Sequence, residues 1–147
     1  IGTLFLFAFW PSFNAALTTG SQQMRAVINT YLCLIGSVIA SVIVARMTHG
    51  GKMEMEIILN SSIAGGVAAG SLADVVVLPF GSLLLGFIAG GVSSFGYAYL
   101  SKFLARTLKL HDTCGVHNLH GMPGLISAFT TAIISSRIGI NFPTDTG

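Results

Sequence analysis

Between Arg25 and Arg46 the chain runs through residues 26–45 without one Asp, Glu, Lys or Arg. At 1.5 Å per residue, a helix of about 20 residues crosses the roughly 30 Å hydrocarbon core of a bilayer. The rest of the chain repeats the pattern: charges fall in narrow bands and long neutral runs separate them. Only 8% of the 147 residues are charged, against roughly 25% in an average soluble domain. So few charges cannot clothe a water-facing surface. The 18 glycines suit close helix–helix packing in lipid. The apolar runs lack period-2 alternation and far exceed the ~10 residues of a spanning strand, which excludes a β-barrel. The fold class expected is an all-α, polytopic transmembrane bundle embedded in the lipid bilayer.

Five apolar segments are expected, over residues 1–19, 26–45, 57–77, 81–104 and 111–136. The first holds Pro11, which should kink its axis. The third and fourth carry the GxxxG ridges Gly66-Val-Ala-Ala-Gly70 and Gly86-Phe-Ile-Ala-Gly90. Leu78-Pro79-Phe80-Gly81 reads as a short turn between them. Five segments must alternate sides. The second and fourth loops hold Arg46, Lys52, Lys102, Arg106 and Lys109, while the opposite side holds Arg25 and Arg137. The positive-inside rule therefore puts the second and fourth loops in the cytoplasm. Ile1 has no preceding Met, and the chain closes on the polar Asn141-Phe-Pro-Thr-Asp-Thr-Gly147. Residues 1–147 thus read as one partial transmembrane domain.

Several functions find no support in the residues. A net charge of +2 with no basic stripe offers nothing to nucleic acid. Cys33 and Cys114 are too few for a disulfide framework or a zinc site, and read as packing thiols. No cofactor or metal motif is present. Gly91-Val-Ser-Ser94 lacks the final glycine of an intramembrane serine protease, and no His-Glu-x-x-His or paired-Asp pattern occurs. No enzyme is expected. Asn60-Ser61-Ser62 fits a glycosylation sequon but falls on the cytoplasmic side.

The chemistry gathers in Asp112-Thr-Cys-Gly-Val-His117-Asn-Leu-His120-Gly-Met-Pro123-Gly124. An intramembrane imidazole is either interhelical glue or a lumen-facing group that handles a polar solute. At helical spacing His117, Gly121 and Leu125 share one face, with His120 on a neighbouring face beside Gly124. Pro123 leaves the Leu119 carbonyl without its amide. Asp112 reads as a helix cap. Asp74 is the one carboxylate inside an apolar run, so it should face a cavity, a donor or the interface. Trp10 and Phe13 are either lipid-facing aromatics or the lining of a mouth that attracts cations.

The stretches Phe9-Trp10-Pro11-Ser12-Phe13-Asn14, Leu59-Asn60-Ser-Ser-Ile-Ala-Gly-Gly66 and Asp112 through Gly124 resemble the Rh glycoproteins of the ammonium transporter superfamily, in that order and at similar spacing. The resemblance implies a channel of two inverted five-helix repeats, of which this chain matches the second. It implies assembly as a trimer, homomeric or heteromeric, with a pore in each subunit. It implies residence in the plasma membrane and transport of ammonia recruited as ammonium, with carbon dioxide as a further solute in some members. In that pattern His117 matches the pore histidine of the second repeat, whose partner lies upstream of Ile1. Phe13 matches the inner phenylalanine of an external gate. His120 is characteristic of the Rh branch, and Asp74 matches an acidic position linked to proton handling. Leu17 stands where bacterial-type transporters place a serine that helps bind ammonium. Two other readings compete: a non-conducting scaffold related to the same family, and an unrelated secondary transporter built on Asp74.

Overall fold

The computed structural model describes residues 1–76 and 78–138. Among these residues the structure is helical, with no strand. Five helices follow in order: α1 (Gly2–Asn14), α2 (Gly20–Thr48), α3 (Met55–Ala69), α4 (Pro79–Thr107) and α5, which opens as the π-turn His117–Gly121 and continues as Met122–Ile138. A second π-turn, Gly96–Leu100, interrupts α4.

At the centre α2 packs along α4 and α3, α1 leans on α2 and α3, and α5 covers α3 and α4. The close crossings follow from residues without side chains. A Cβ at Gly86 or at Gly65 would fall on the Cys33 carbonyl, and one at Gly36 would fall on the Leu83 carbonyl. At Gly90 it would sit 2.5 Å from the Ser37 carbonyl oxygen. Serine hydroxyls then bind across the gaps: Ser37 Oγ donates to the Ser61 carbonyl at 2.6 Å and accepts from the Gly65 amide at 3.1 Å. The Gly86/Gly90 ridge does what its spacing suggests. On α3 the helix-to-helix approach is made by Gly65, while Gly66 packs on Trp10 and Gly70 meets nothing beyond ordinary contact except its own helix.

Among the described residues only α2 and α4, each 29 residues, are long and apolar enough to cross a bilayer. The third apolar run differs most from its expected bounds of 57–77, whose last residue lies outside the described set. Its helix stops at Ala69, so its 15 residues reach only about 22 Å. Turns follow, because α2 supplies the partners that helical amides would otherwise be. Asn29 Nδ2 donates to the Ala73 and Val76 carbonyls, each at 2.7 Å, and Arg25 Nη1 donates to the Asp74 carbonyl at 3.2 Å. Irregular backbone survives at membrane depth only where protein groups satisfy it. Asp74 is therefore a turn residue, not a helical one.

The other bounds shift for local reasons. α1 ends at Asn14 rather than near residue 19. Pro79 does not sit in a turn before α4 but opens the helix at its first position, where its missing amide costs nothing. The last helix starts at residue 116, not 111, and the intervening Asp112 caps it: its carboxylate oxygens accept from the Val116 amide at 3.0 Å and the His117 amide at 2.8 Å. The loops expected in the cytoplasm meet at one end, where His49, Glu54, Lys102 and Asp112 line a common pocket. Arg25 and Asp74 stand together at the other end.

Candidate functional site: an aromatic and imidazole cleft

Three segments converge on a cleft of about 360 Å³ lined by Leu6, Trp10, Phe13, Asn14, Gly66, Val67 and His120. α1 contributes the aromatic wall. Pro11 sits within that helix and removes the amide that would hold the Phe7 carbonyl, while Tyr31 of α2 donates to the neighbouring Ala8 carbonyl at 3.0 Å. The Trp10 and Phe13 rings meet edge to face, 6.4 Å apart at 70°, the arrangement that aromatic quadrupoles favour. Trp10 reaches α3 because Gly66 has no side chain: a Cβ there would come within 2.6 Å of the indole nitrogen. Asn14 ties the walls together, its Nδ2 donating to Thr30 Oγ1 and to the Gly66 carbonyl, both at 3.1 Å.

α5 contributes the imidazole. The His120 ring lies 6.3 Å from the Trp10 ring, tilted 35°. The π-turn that carries it is marked by the Met122 amide bonding the His117 carbonyl, five residues back. Such wider turns within α-helices are frequent at functional sites. Pro123, with no amide to give to Leu119, is the second residue after it.

The four residues singled out in the sequence are thus placed unequally. Phe13 and His120 share the cleft. His117, put first in the sequence reading, is exposed on the same π-turn but is not among the lining residues; its ring lies over Gly121, where a Cβ would be 3.2 Å from Nδ1. Asp74 is half-buried in the turn after α3 and also lies outside the lining. Asn14 was not anticipated. The signal for it was an amide side chain in an apolar segment, which needs partners in lipid.

The cleft is open on one side. Phe13, one of its lining residues, is 67% exposed. A half-open groove with an apolar, aromatic wall and one imidazole can dehydrate a small cation or hydrogen-bond a small neutral base. Among the described residues no cluster of His, Cys, Asp and Glu could hold a metal ion.

Comparison with known proteins agrees with this architecture. The Ammonium Transporter Family matches residues 1–141. The ammonium transporter Rh type C of Oncorhynchus mykiss is 51% identical over 138 residues, covering 92% of this chain and 28% of the relative. The Rh type C protein of Bos taurus is 49% identical over 143 residues, covering 96% of this chain and 31% of the relative. The chain therefore spans about three-tenths of the length of these curated relatives. Among solved structures, Rh50 of Nitrosomonas europaea, described as belonging to the Rhesus protein family of channels, superposes with a TM-score of 0.88. It is 38% identical and is matched over 90% of this chain and 35% of its own. The family consists of membrane transporters, and the chain belongs to it: it is a member of the ammonium transporter family.

Proposed function

We propose that this chain forms one wall of an Rh-type ammonia channel, with carbon dioxide as a further candidate solute. The observation that carries the reading is the meeting of Trp10, Phe13 and His120 in one cleft, in a chain whose relatives are named ammonium transporters. Phe13 and Trp10 stand toward the end that carries Asp74 and Arg25, the outer end in the charge-based orientation. There the aromatic faces offset the dehydration of ammonium by roughly 0.5–2 kcal/mol.

A dry lumen rejects the charged form at a cost of several kcal/mol or more. Ammonium therefore leaves its proton to water at the mouth, neutral ammonia passes, and water on the far side returns a proton. The imidazole of His120, in its neutral form, offers ammonia one donor and one acceptor within the lumen. His117, nearer the start of α5, is assigned a second station toward the inner side. Asp74 lies outside the cleft, and its carboxylate acts at the outer face rather than in the lumen. Three copies form the working assembly in the plasma membrane, each with its own pore. Only protons change hands, between nitrogen and water oxygen, and no bond between heavy atoms is made or broken, so the protein acts as a channel and not as an enzyme.

The test is ammonia-driven alkalinisation inside liposomes holding the full-length protein. Replacing His120 by Leu, which keeps the bulk and loses both hydrogen-bonding atoms, is expected to cut the flux by roughly tenfold, the worth of about one hydrogen bond. An unchanged flux would overturn the assignment, and a loss seen only with His117→Leu would transfer the role to that residue.

A further inference from the structure

On the π-turn His117–Gly121 the burial is one-sided: Asn118 and Leu119 are buried, while His117, His120 and Gly121 are exposed. Asn118 is 1% exposed. Its Nδ2 donates to Ser101 Oγ on α4, and its Oδ1 is buried with no hydrogen-bond partner. That oxygen lies against the other π-turn, where a Cβ at Gly96 would come within 2.6 Å of it. Tyr97, next along that turn, donates to the Gly115 carbonyl at 2.9 Å. The two widened turns are therefore docked on each other, with the Asn118 amide between them.

A half-satisfied amide in a lipid-embedded core is an expensive choice. Leucine would fill a similar volume with no polar atom to satisfy. What the amide adds is direction, because a bond to Ser101 fixes the angle at which this turn faces α4. The angle matters here more than in a regular helix. Each α-helical residue advances about 100° around the axis, so the single extra residue of a π-turn sets the phase between everything before it and everything after it.

We infer that Asn118 is a positioning residue: by locking the π-turn of α5 onto that of α4, it selects His120 rather than His117 as the imidazole that faces the cleft. Its consequence for conduction rests on the channel reading above, but the geometry does not.

The experiment separates the two. In the full-length protein, with Cys114→Ser and other reactive cysteines removed, single cysteines are placed by His117→Cys or His120→Cys. Their rates of labelling by N-ethylmaleimide are compared with and without Asn118→Leu. The ratio of the rate at 120 to that at 117 is expected to fall by about tenfold, the weight of one hydrogen bond on a two-state turn. A role in stability alone would change both rates together and leave the ratio in place. Ser101→Ala removes the same bond without touching α5, should lower the ratio in the same direction, and decides alone if Asn118→Leu does not fold. A ratio unchanged in the folded variants overturns the inference. Ammonia flux is then measured in Asn118→Leu with both histidines present. A shifted ratio with full flux supports the lock and sinks the role given to His120. An unshifted ratio with lost flux overturns the lock and leaves the channel reading standing.

Discussion

Asn29 shows how much one side chain can decide. It is buried, and its amide serves two carbonyls of the turn after α3. Asn29→Leu strands both, the Ala73 carbonyl in a buried site, and should cost about 1–3 kcal/mol, read as a lower melting temperature in detergent. Gly66→Ala acts on the cleft instead. The new methyl would meet the Trp10 indole, so the ring must swing away. Flux should fall, and stability should drop by about 1–3 kcal/mol through overpacking. Tryptophan fluorescence of residues 1–147 checks this directly, since Trp10 is the only tryptophan among them. At this scale the sequence was legible where chemistry is rare. Phe13 and the two histidines stood out in an apolar run, and Asp112 caps the helix that its position implied. The ranking of the two histidines was not legible. Reading faces at 3.6 residues per turn assumes an unbroken α-helix, and the π-turn resets the phase between His117 and the helix that follows.

Among the elements, the α2–α4 crossing is the most exacting. Gly86 sets backbone against the Cys33 carbonyl, whereas a Cβ at Gly91 would only touch Ala40 at 3.9 Å. Gly86→Ala should therefore lose about 3 kcal/mol, the upper end of the usual overpacking range, because backbone cannot rotate aside. Gly91→Ala should change stability little and could gain from helix propensity. Parallel thermal melts of the two variants would show whether that contrast holds. The GxxxG spacing on α4 disclosed this contact in advance. The early end of α3 could not be read in the same way. Residues 70–76 are apolar enough to continue a helix, and what ends it is a pair of side chains on α2, Arg25 and Asn29. They lie more than 40 residues away in sequence, so no local window contains the cause.

The molecule as a whole presents its cleft open, with Phe13 exposed in it and Leu125 and Phe129 exposed elsewhere on α5. A wall cannot conduct, so residues 1–147 alone should give liposomes no ammonia permeability above that of the lipid. Measurable flux through that piece would contradict the reading. Sidedness is equally open to test. Cysteines substituted at Lys52 and Lys109 in the full-length protein should react with an impermeant maleimide only from the cytoplasmic face, and one at Arg25 only from outside. The small-residue core carries a last consequence. Where Gly36, Gly65, Gly86 and Gly90 let backbones touch, attraction is short-ranged, and a gap of 0.5–1 Å already forfeits a quarter to a half of it. Such helices do not breathe apart in small steps. If the chain lines a channel as proposed, opening and shutting fall to rotamer hops of the rings that border it, on a picosecond-to-nanosecond clock, and throughput should show none of the slow cycling of a carrier that rocks between two states.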